Sequence, residues 1–241
     1  MHDKQVALIT GANKGIGKEI ARQLGKRGLT VLVAARDAGR GETAAKQLRD
    51  EGLDARFIHL DVTAADTVAR AAKQVEAELG RLDVLVNNAG IAVGRAKASE
   101  VDLDSVRKTF ETNVFAVIAV TQAFLPLLRK APNGRIVNIS SGLGSLARMS
   151  DPKFEFATAS GVSYPASKTA LNAVTVAFAN ELRQTRIKVN AADPGYTATD
   201  LNNHSGPRTV EQGARAAVRL ATLNEDGPTG TFIDEDGPQP W

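Results

Sequence analysis

The chain has 241 residues and a formal net charge of +3 at pH 7, a length that suits one large α/β domain whose core needs no staples. It has no cysteine and only three scattered histidines, His2, His59 and His204, which excludes disulfides and thiol nucleophiles and argues against a metal site. Basic residues are interleaved with acids, so no run of like charge marks a nucleic-acid or membrane surface.

The first residues lead directly into a short apolar strand, Val6 to Thr10. No signal-peptide core precedes it, and no apolar run approaches the roughly 20 residues of a membrane span. The expectation is a soluble, cytoplasmic protein. Glycines follow the strand, then Ile16, Ile20 and Leu24 at helical spacing. A second buried strand covers 30–34, a helix about 42–50, and a third strand 56–60. An amphipathic helix over about 64–79 closes at Gly80, and a fourth strand, 84–86, runs into Asn87-Asn88-Ala89-Gly90. Residues 99–110 read as helical. A more apolar helix over about 112–128 is interrupted late by Pro126. The fifth strand is 135–139. A long loop then reaches Ser163, a helix runs from Tyr164 to about Arg183, and a sixth strand covers 187–190. A last helix around 210–220 and a seventh strand at 231–233 complete the pattern. Continuously apolar strands alternating with helices predict a doubly wound parallel sheet of about seven strands, covered on both faces, in a single domain over 1–241.

The turn after the first strand reads Thr10-Gly11-Ala12-Asn13-Lys14-Gly15-Ile16-Gly17. Glycines there let the backbone approach a pyrophosphate at the N-terminus of the following helix. A triphosphate-hydrolysing loop is excluded, because Ala12 and Glu19 stand where glycine and Ser/Thr are required. The second strand ends in Ala34-Ala35-Arg36-Asp37. An NAD site wants a carboxylate at that end, whereas Arg36, with Lys14 nearby, suits the 2′-phosphate of NADP. Asp37 is placed to pair with Arg36.

Tyr164 and Lys168 lie four apart, one turn of helix from each other. An ammonium close to a phenol lowers its pKa from about 10 and makes a proton donor for near-neutral pH. The fifth strand ends at Ser140-Ser141, where a hydroxyl faces the ligand crevice and can hold a carbonyl. A serine hydrolase is disfavoured, since Asn138 replaces the first glycine of a nucleophile elbow.

Together these features resemble the short-chain dehydrogenase/reductase family, in its single-domain, carbonyl-reductase-like branch. The resemblance spans the chain: the glycine loop 10–17, Asp61-Val62, Asn87–Gly90, Asn113, Ser141, Tyr164 with Lys168, and Pro194-Gly195 followed by Thr199. It implies an NADPH-dependent reductase of ketones or aldehydes. Tyr164 would be the general acid, Ser141 would polarise the carbonyl, and Lys168 would lower the phenol's pKa and hold the nicotinamide ribose. Asn113 would brace a proton-relaying water, and Ser140 would be structural. NADP(H) would be held by Gly11, Asn13, Lys14, Gly15, Ile16, Gly17 and Arg36. Asp61 and Val62 would hold its adenine, Asn88, Ala89 and Gly90 its ribose, and Pro194, Gly195, Thr197 and Thr199 its nicotinamide end. Asp61 is equally placed to cap a turn before Thr63.

The serine–tyrosine interval, 142–163, is longer than in many relatives. It is expected to wall the substrate crevice, or to shield the helix face on which relatives dimerise, so a monomer or small homo-oligomer is anticipated. Val93, Met149, Phe154, Phe156, Tyr196 and Leu201 are the expected substrate pocket, with Trp241 near. An NADP-binding sensor of the same fold with little turnover is the alternative. A sugar-nucleotide epimerase is disfavoured by length and glycine spacing.

Overall fold

The structure, a computed structural model, describes residues 4–157 and 161–241. Seven strands form one parallel sheet: β1 (Val6–Thr10), β2 (Thr30–Ala35), β3 (Ala55–His59), β4 (Val84–Asn87), β5 (Arg135–Ile139), β6 (Lys188–Ala192) and β7 (Phe232–Ile233). Their order is β3-β2-β1-β4-β5-β6-β7. Every pairing is parallel, as with Leu8 opposite Leu32 on one side and Leu85 on the other.

The period-2 alternation of a strand divides its side chains between two cores. Ala7, Ile9, Val31 and Val33 pack on one face. They meet Ile20 and Leu24 of α1 (Gly15–Lys26), Leu48 of α2 (Ala38–Asp50), and Val218 and Leu220 of α8 (Val210–Ala221). Val6, Leu8, Leu32 and Ala34 pack on the other. There they meet Val68 and Val75 of α3 (Ala65–Leu79), Val120 and Phe124 of α5 (Ala116–Arg129), and Ala179 of α7 (Ser163–Glu181). Sheet order reverses between β1 and β4. That opens a crevice at the carboxyl ends of the strands, where an open α/β sheet takes its ligand.

Several boundaries differ from the sequence reading, each for a local reason. The second helix starts four residues early because the Asp37 side chain caps it, accepting from Arg40 N–H at 2.9 Å. Asp37 therefore serves the helix and sits 3.8 Å from Arg40, rather than pairing with Arg36. The helix expected from residue 99 begins as α4 (Leu103–Phe110), where Asp102 accepts from Asp104 and Ser105 N–H. Pro126 does not interrupt α5, which runs on to Arg129. A π-helical turn, Glu111–Phe115, joins α4 to α5. The continuous helical stretch Leu103–Arg129 is 27 residues long and apolar enough to span a membrane by length and composition, contrary to the sequence reading. Half of its apolar window is buried within the protein, as a core helix requires. Within the 142–163 interval, of which residues 158–160 lie outside the described residues, the chain forms a 3₁₀ turn (Gly142–Gly144) and the one-turn helix α6 (Leu146–Met149).

Candidate active site

The glycine turn is built from backbone geometry. Gly11 and Gly15 have φ of 63° and 55°, a region costly for other residues. A Cβ on Gly17 would run into the Asn88 side chain. Asn88 earns that space: its Nδ2 donates to Thr10 O at 2.8 Å and Gly11 O at 3.3 Å. The Thr10 hydroxyl in turn accepts from Asn88 and Ala89 N–H at 2.9 and 3.0 Å. The ends of β1 and β4 are thus locked together, with Thr10 as a hub that the sequence reading passed over. Lys14, the N-cap of α1, makes no side-chain bond to the first turn. The helix consequently offers its first N–H groups and its dipole to an outside acceptor. A dinucleotide pyrophosphate fits this bare N-terminus.

Arg36 lies exposed just beyond β2. Its backbone carbonyl bonds His59 Nε2 at 3.1 Å, and among the described residues no carboxylate forms an ion pair with its guanidinium. Lys14 was expected to share its anion, but is ion-paired with Asp200, which also holds His204 at 2.8 Å. Asp61 Oδ1 accepts from Thr63 N–H at 3.0 Å and from the Thr63 hydroxyl at 2.8 Å, which is the turn-capping role rather than a free arm. Val62 packs against the sheet core as a half-buried side chain.

The reacting groups converge below the crevice. The Tyr164 and Ser141 side chains line the same cleft, close enough that the serine hydroxyl favours the ionised phenol. Ser141 Oγ also accepts from Leu143 N–H at 3.2 Å, capping the 3₁₀ turn. Ser140 Oγ instead donates to Asn172 Oδ1 at 2.6 Å in the core, the structural role foreseen for it. Lys168 is buried and its Nζ donates to Ile139 O at 2.7 Å. It lies 5.5 Å from the centroid of the Tyr164 ring. Burial pushes Lys168 down to about 8, against the raising influence of Asp193.

The expected lowering of the phenol by Lys168 is not what the structure shows. Burial pushes Tyr164 up, Asp193 pushes it further, and only the Ser141 hydroxyl opposes them. The ammonium stands beside the ring with one N–H on a carbonyl, and removal of the phenol from water decides the direction.

Asn113 sits in the π turn, fully buried. Its Oδ1 accepts from Ile91 N–H at 2.9 Å, and its Nδ2 donates to Ile91 O at 2.9 Å and Ser167 Oγ at 3.0 Å. It thereby ties the segment after Gly90 to the Tyr164 helix, an anchoring visible in the bonds themselves.

A cleft of about 550 Å³ opens over Ser141 and Tyr164. Val93, Phe154, Phe156, Tyr196 and Leu201 line it, beside Ile16, Ser141, Tyr164, Pro194, Gly195, Thr197 and Thr199. Met149 does not line it. On the one-turn α6 it is the neighbouring Arg148 that reaches the cleft, and successive helical residues are about 100° apart. Trp241 is also elsewhere, stacked on Phe232 at 5.6 Å between centroids. Asp193 and Arg148 were missed by the sequence reading. Asp193 carried a signal, a carboxylate directly before Pro194-Gly195 at the end of β6; Arg148 carried none. Among the described residues, no cluster of His, Asp or Glu could hold a metal ion.

Comparison with known proteins agrees with this architecture. Residues 5–209 match the short chain dehydrogenase family. The chain is 39% identical to the short-chain dehydrogenase anuI of Penicillium roqueforti, covering 97% of this chain and 95% of that one. It is 32% identical to (-)-isopiperitenone reductase of Mentha piperita, covering 97% of each. Salutaridine reductase of Papaver somniferum superposes with a TM-score of 0.84 at 29% identity, over 95% of this chain and 99% of that one. A gluconate 5-dehydrogenase of Burkholderia cenocepacia, solved with NADP and tartrate, gives 0.84 at 29% identity, over 96% and 93%. The chain belongs to the short-chain dehydrogenase/reductase family and is an oxidoreductase that uses a nicotinamide cofactor on small molecules.

Proposed function

We propose that the protein is an NADPH-dependent carbonyl reductase acting on a ketone or aldehyde. The observation that carries this reading is the Ser141–Tyr164 hydroxyl pair under the cleft, with Lys168 buried beside the ring.

When bound, the cofactor supplies a hydride to the carbonyl carbon. The chain does the rest. Ser141 and Tyr164 would grip the carbonyl oxygen, and Tyr164 would release its proton to that oxygen as it becomes an alkoxide. The raised phenol pKa suits this direction, because the group stays protonated at neutral pH until a far stronger base forms against it. Lys168 has three N–H groups and gives one to Ile139 O. The others are available for the nicotinamide ribose and for returning a proton to Tyr164. Asn113 would hold the Ile91 segment and Ser167 in register beneath this path, bracing rather than reacting.

Arg36 supports the choice of NADP(H), since its guanidinium stands exposed at the tip of β2, where an adenosine 2′-phosphate would arrive. Relatives named as reductases and a structural neighbour solved with NADP point the same way. Asp61 and Val62 would border the adenine, and Asn88, Ala89 and Gly90 its ribose. In this reading the partners are a small carbonyl compound and the cofactor, with neither nucleic acid nor membrane, and the chain works as a monomer or small homo-oligomer.

NADPH oxidation against a panel of ketones, wild type beside Tyr164→Phe, tests the assignment. Turnover by the wild type and its loss in the variant, with NADPH affinity retained, is expected. NADPH binding without turnover of any carbonyl would instead favour a sensor of the same fold.

A further inference from the structure

The cleft contains an ion pair that the reductase chemistry does not require. Arg148 of α6 and Asp193 at the end of β6 both line it, with Nη1 3.6 Å from Oδ2. Asp193 is buried, which pushes its carboxyl pKa up, while Gly195 N–H at 2.9 Å, Gly142 N–H and the Arg148 charge oppose that rise and favour the anion. A Cβ on Gly142 would come within 2.9 Å of both charged groups, so the glycine makes room for the pair.

Arg148 is also a mechanical link. Its guanidinium lies 4.6 Å over the Phe154 ring, and its Nη1 donates to Gln239 Oε1 at 3.1 Å. Phe154 packs edge-on to Phe156 at 5.6 Å, and Phe156 to Tyr196 at 5.4 Å. Three aromatic rings are therefore aligned along one wall from a single cation anchored on the sheet. The other arginines of the cleft are engaged as well, Arg208 by Glu235 and Gln212 O, and Arg95 by Leu201 O. Glu155 stands exposed at the mouth.

We propose that the Arg148–Asp193 pair is a specificity device that positions the Phe154–Phe156–Tyr196 wall for a ring-bearing substrate. By occupying the Arg148 charge, it also selects uncharged carbonyl compounds over carboxylated ones. Arg148 and Asp193 are positioning residues here, acting through the wall and through the charge each cancels. A carboxylate entering the cleft finds Arg148 already paired and meets the Asp193 anion beside it. The inference deepens the carbonyl-reductase reading and names its substrate class.

Asp193→Asn keeps an acceptor for one amide and releases the guanidinium. Binding of benzoate and of acetophenone to the NADP⁺ complex, which cannot reduce the ketone, is measured by calorimetry, with melting temperature as the check on folding. Benzoate is expected to bind about tenfold more tightly to Asp193→Asn than to the wild type, acetophenone equally, and the gain to vanish in Asp193→Asn/Arg148→Met. Equal benzoate affinity in wild type and Asp193→Asn, or a gain that survives in the double variant, overturns the proposal. If Asp193→Asn does not fold, Arg148→Met decides: KM for 1-phenyl-1,2-propanedione should rise about tenfold with that for 2,3-butanedione unchanged. Equal changes for the two diones refute the positioning role. Wild-type protein that turns over neither dione sinks the reductase reading, while the benzoate arm still judges the ion pair.

Discussion

The two ends of the parallel sheet each bury a cation, and they use it in opposite ways. At the carboxyl end Lys168 gives one N–H to Ile139 O and lies 5.5 Å from the centroid of the Tyr164 ring, which lines the cleft. At the amino end Arg135 is equally buried, beside a cavity of about 380 Å³ lined by Gln5, Asn133 and residues 221–225. Its five N–H groups are all taken: Nε by Leu223 O, Nη1 by Gly134 O and Arg186 O, Nη2 by Leu223 O and Asn224 O. Burial lowers the pKa of both cations. Titration behaviour alone would therefore flag both ends. What separates them is hydrogen-bonding capacity, fully used by Arg135 and only partly used by Lys168 beside the Tyr164 ring.

The largest effect should come from the reacting end. Tyr164→Phe is expected to lower kcat by about a thousandfold, within the range of general-acid contributions, with NADPH affinity unchanged by fluorescence titration. A modest loss would make the two ends chemically alike. Next comes the structural end. Arg135→Met should cost about 3 kcal/mol in urea unfolding, because buried carbonyls lose a charged donor, while kcat/KM stays near wild type. An activity loss at unchanged stability would mean that this end also serves the reaction.

Smaller still is the effect at the adenosine pocket. Arg36→Leu should raise KM for NADPH about tenfold and leave that for NADH alone, as loss of one exposed charge-assisted contact implies. Parallel changes for both cofactors would remove the 2′-phosphate assignment. The smallest effect is one of pH. Lys168 is lowered from 10.5 to about 8 in the cofactor-free fold. Between those values the unfolded chain holds a proton that the folded one has lost, so stability rises with pH across the window. Below about 8 the folded lysine is charged and the cost of burying that charge is fully present. Lys168→Met should flatten the slope of unfolding free energy between these pH values; an unchanged slope would mean that the amine is not desolvated.

The fold was legible because strand and helix periods differ, and because apolar runs such as Val6 to Thr10 are buried along their whole length. The glycine loop and the Ser141, Tyr164 and Lys168 set were legible as spacing. Helix starts were not, since Asp37 and Asp102 act as caps through side-chain geometry that a pattern of apolar residues does not carry. The direction of the Tyr164 shift was misread for a similar reason. Sequence gives the separation of a lysine and a tyrosine, not the depth at which both are buried. Met149 and Arg148 are adjacent in sequence, and only the rotation of a one-turn helix decides which of them the cleft receives.

The π turn at Glu111–Phe115 bears on any attempt to regularise this scaffold. Such a turn holds one more residue than its α-helical equivalent, at some expense in local regularity. Excising that surplus residue would tidy the rod joining α4 to α5, but would swing the upstream segment by about 100° relative to the downstream one. The amide of Asn113 would then forfeit its grip on Ile91, so a sturdier helix would come with an unmoored crevice.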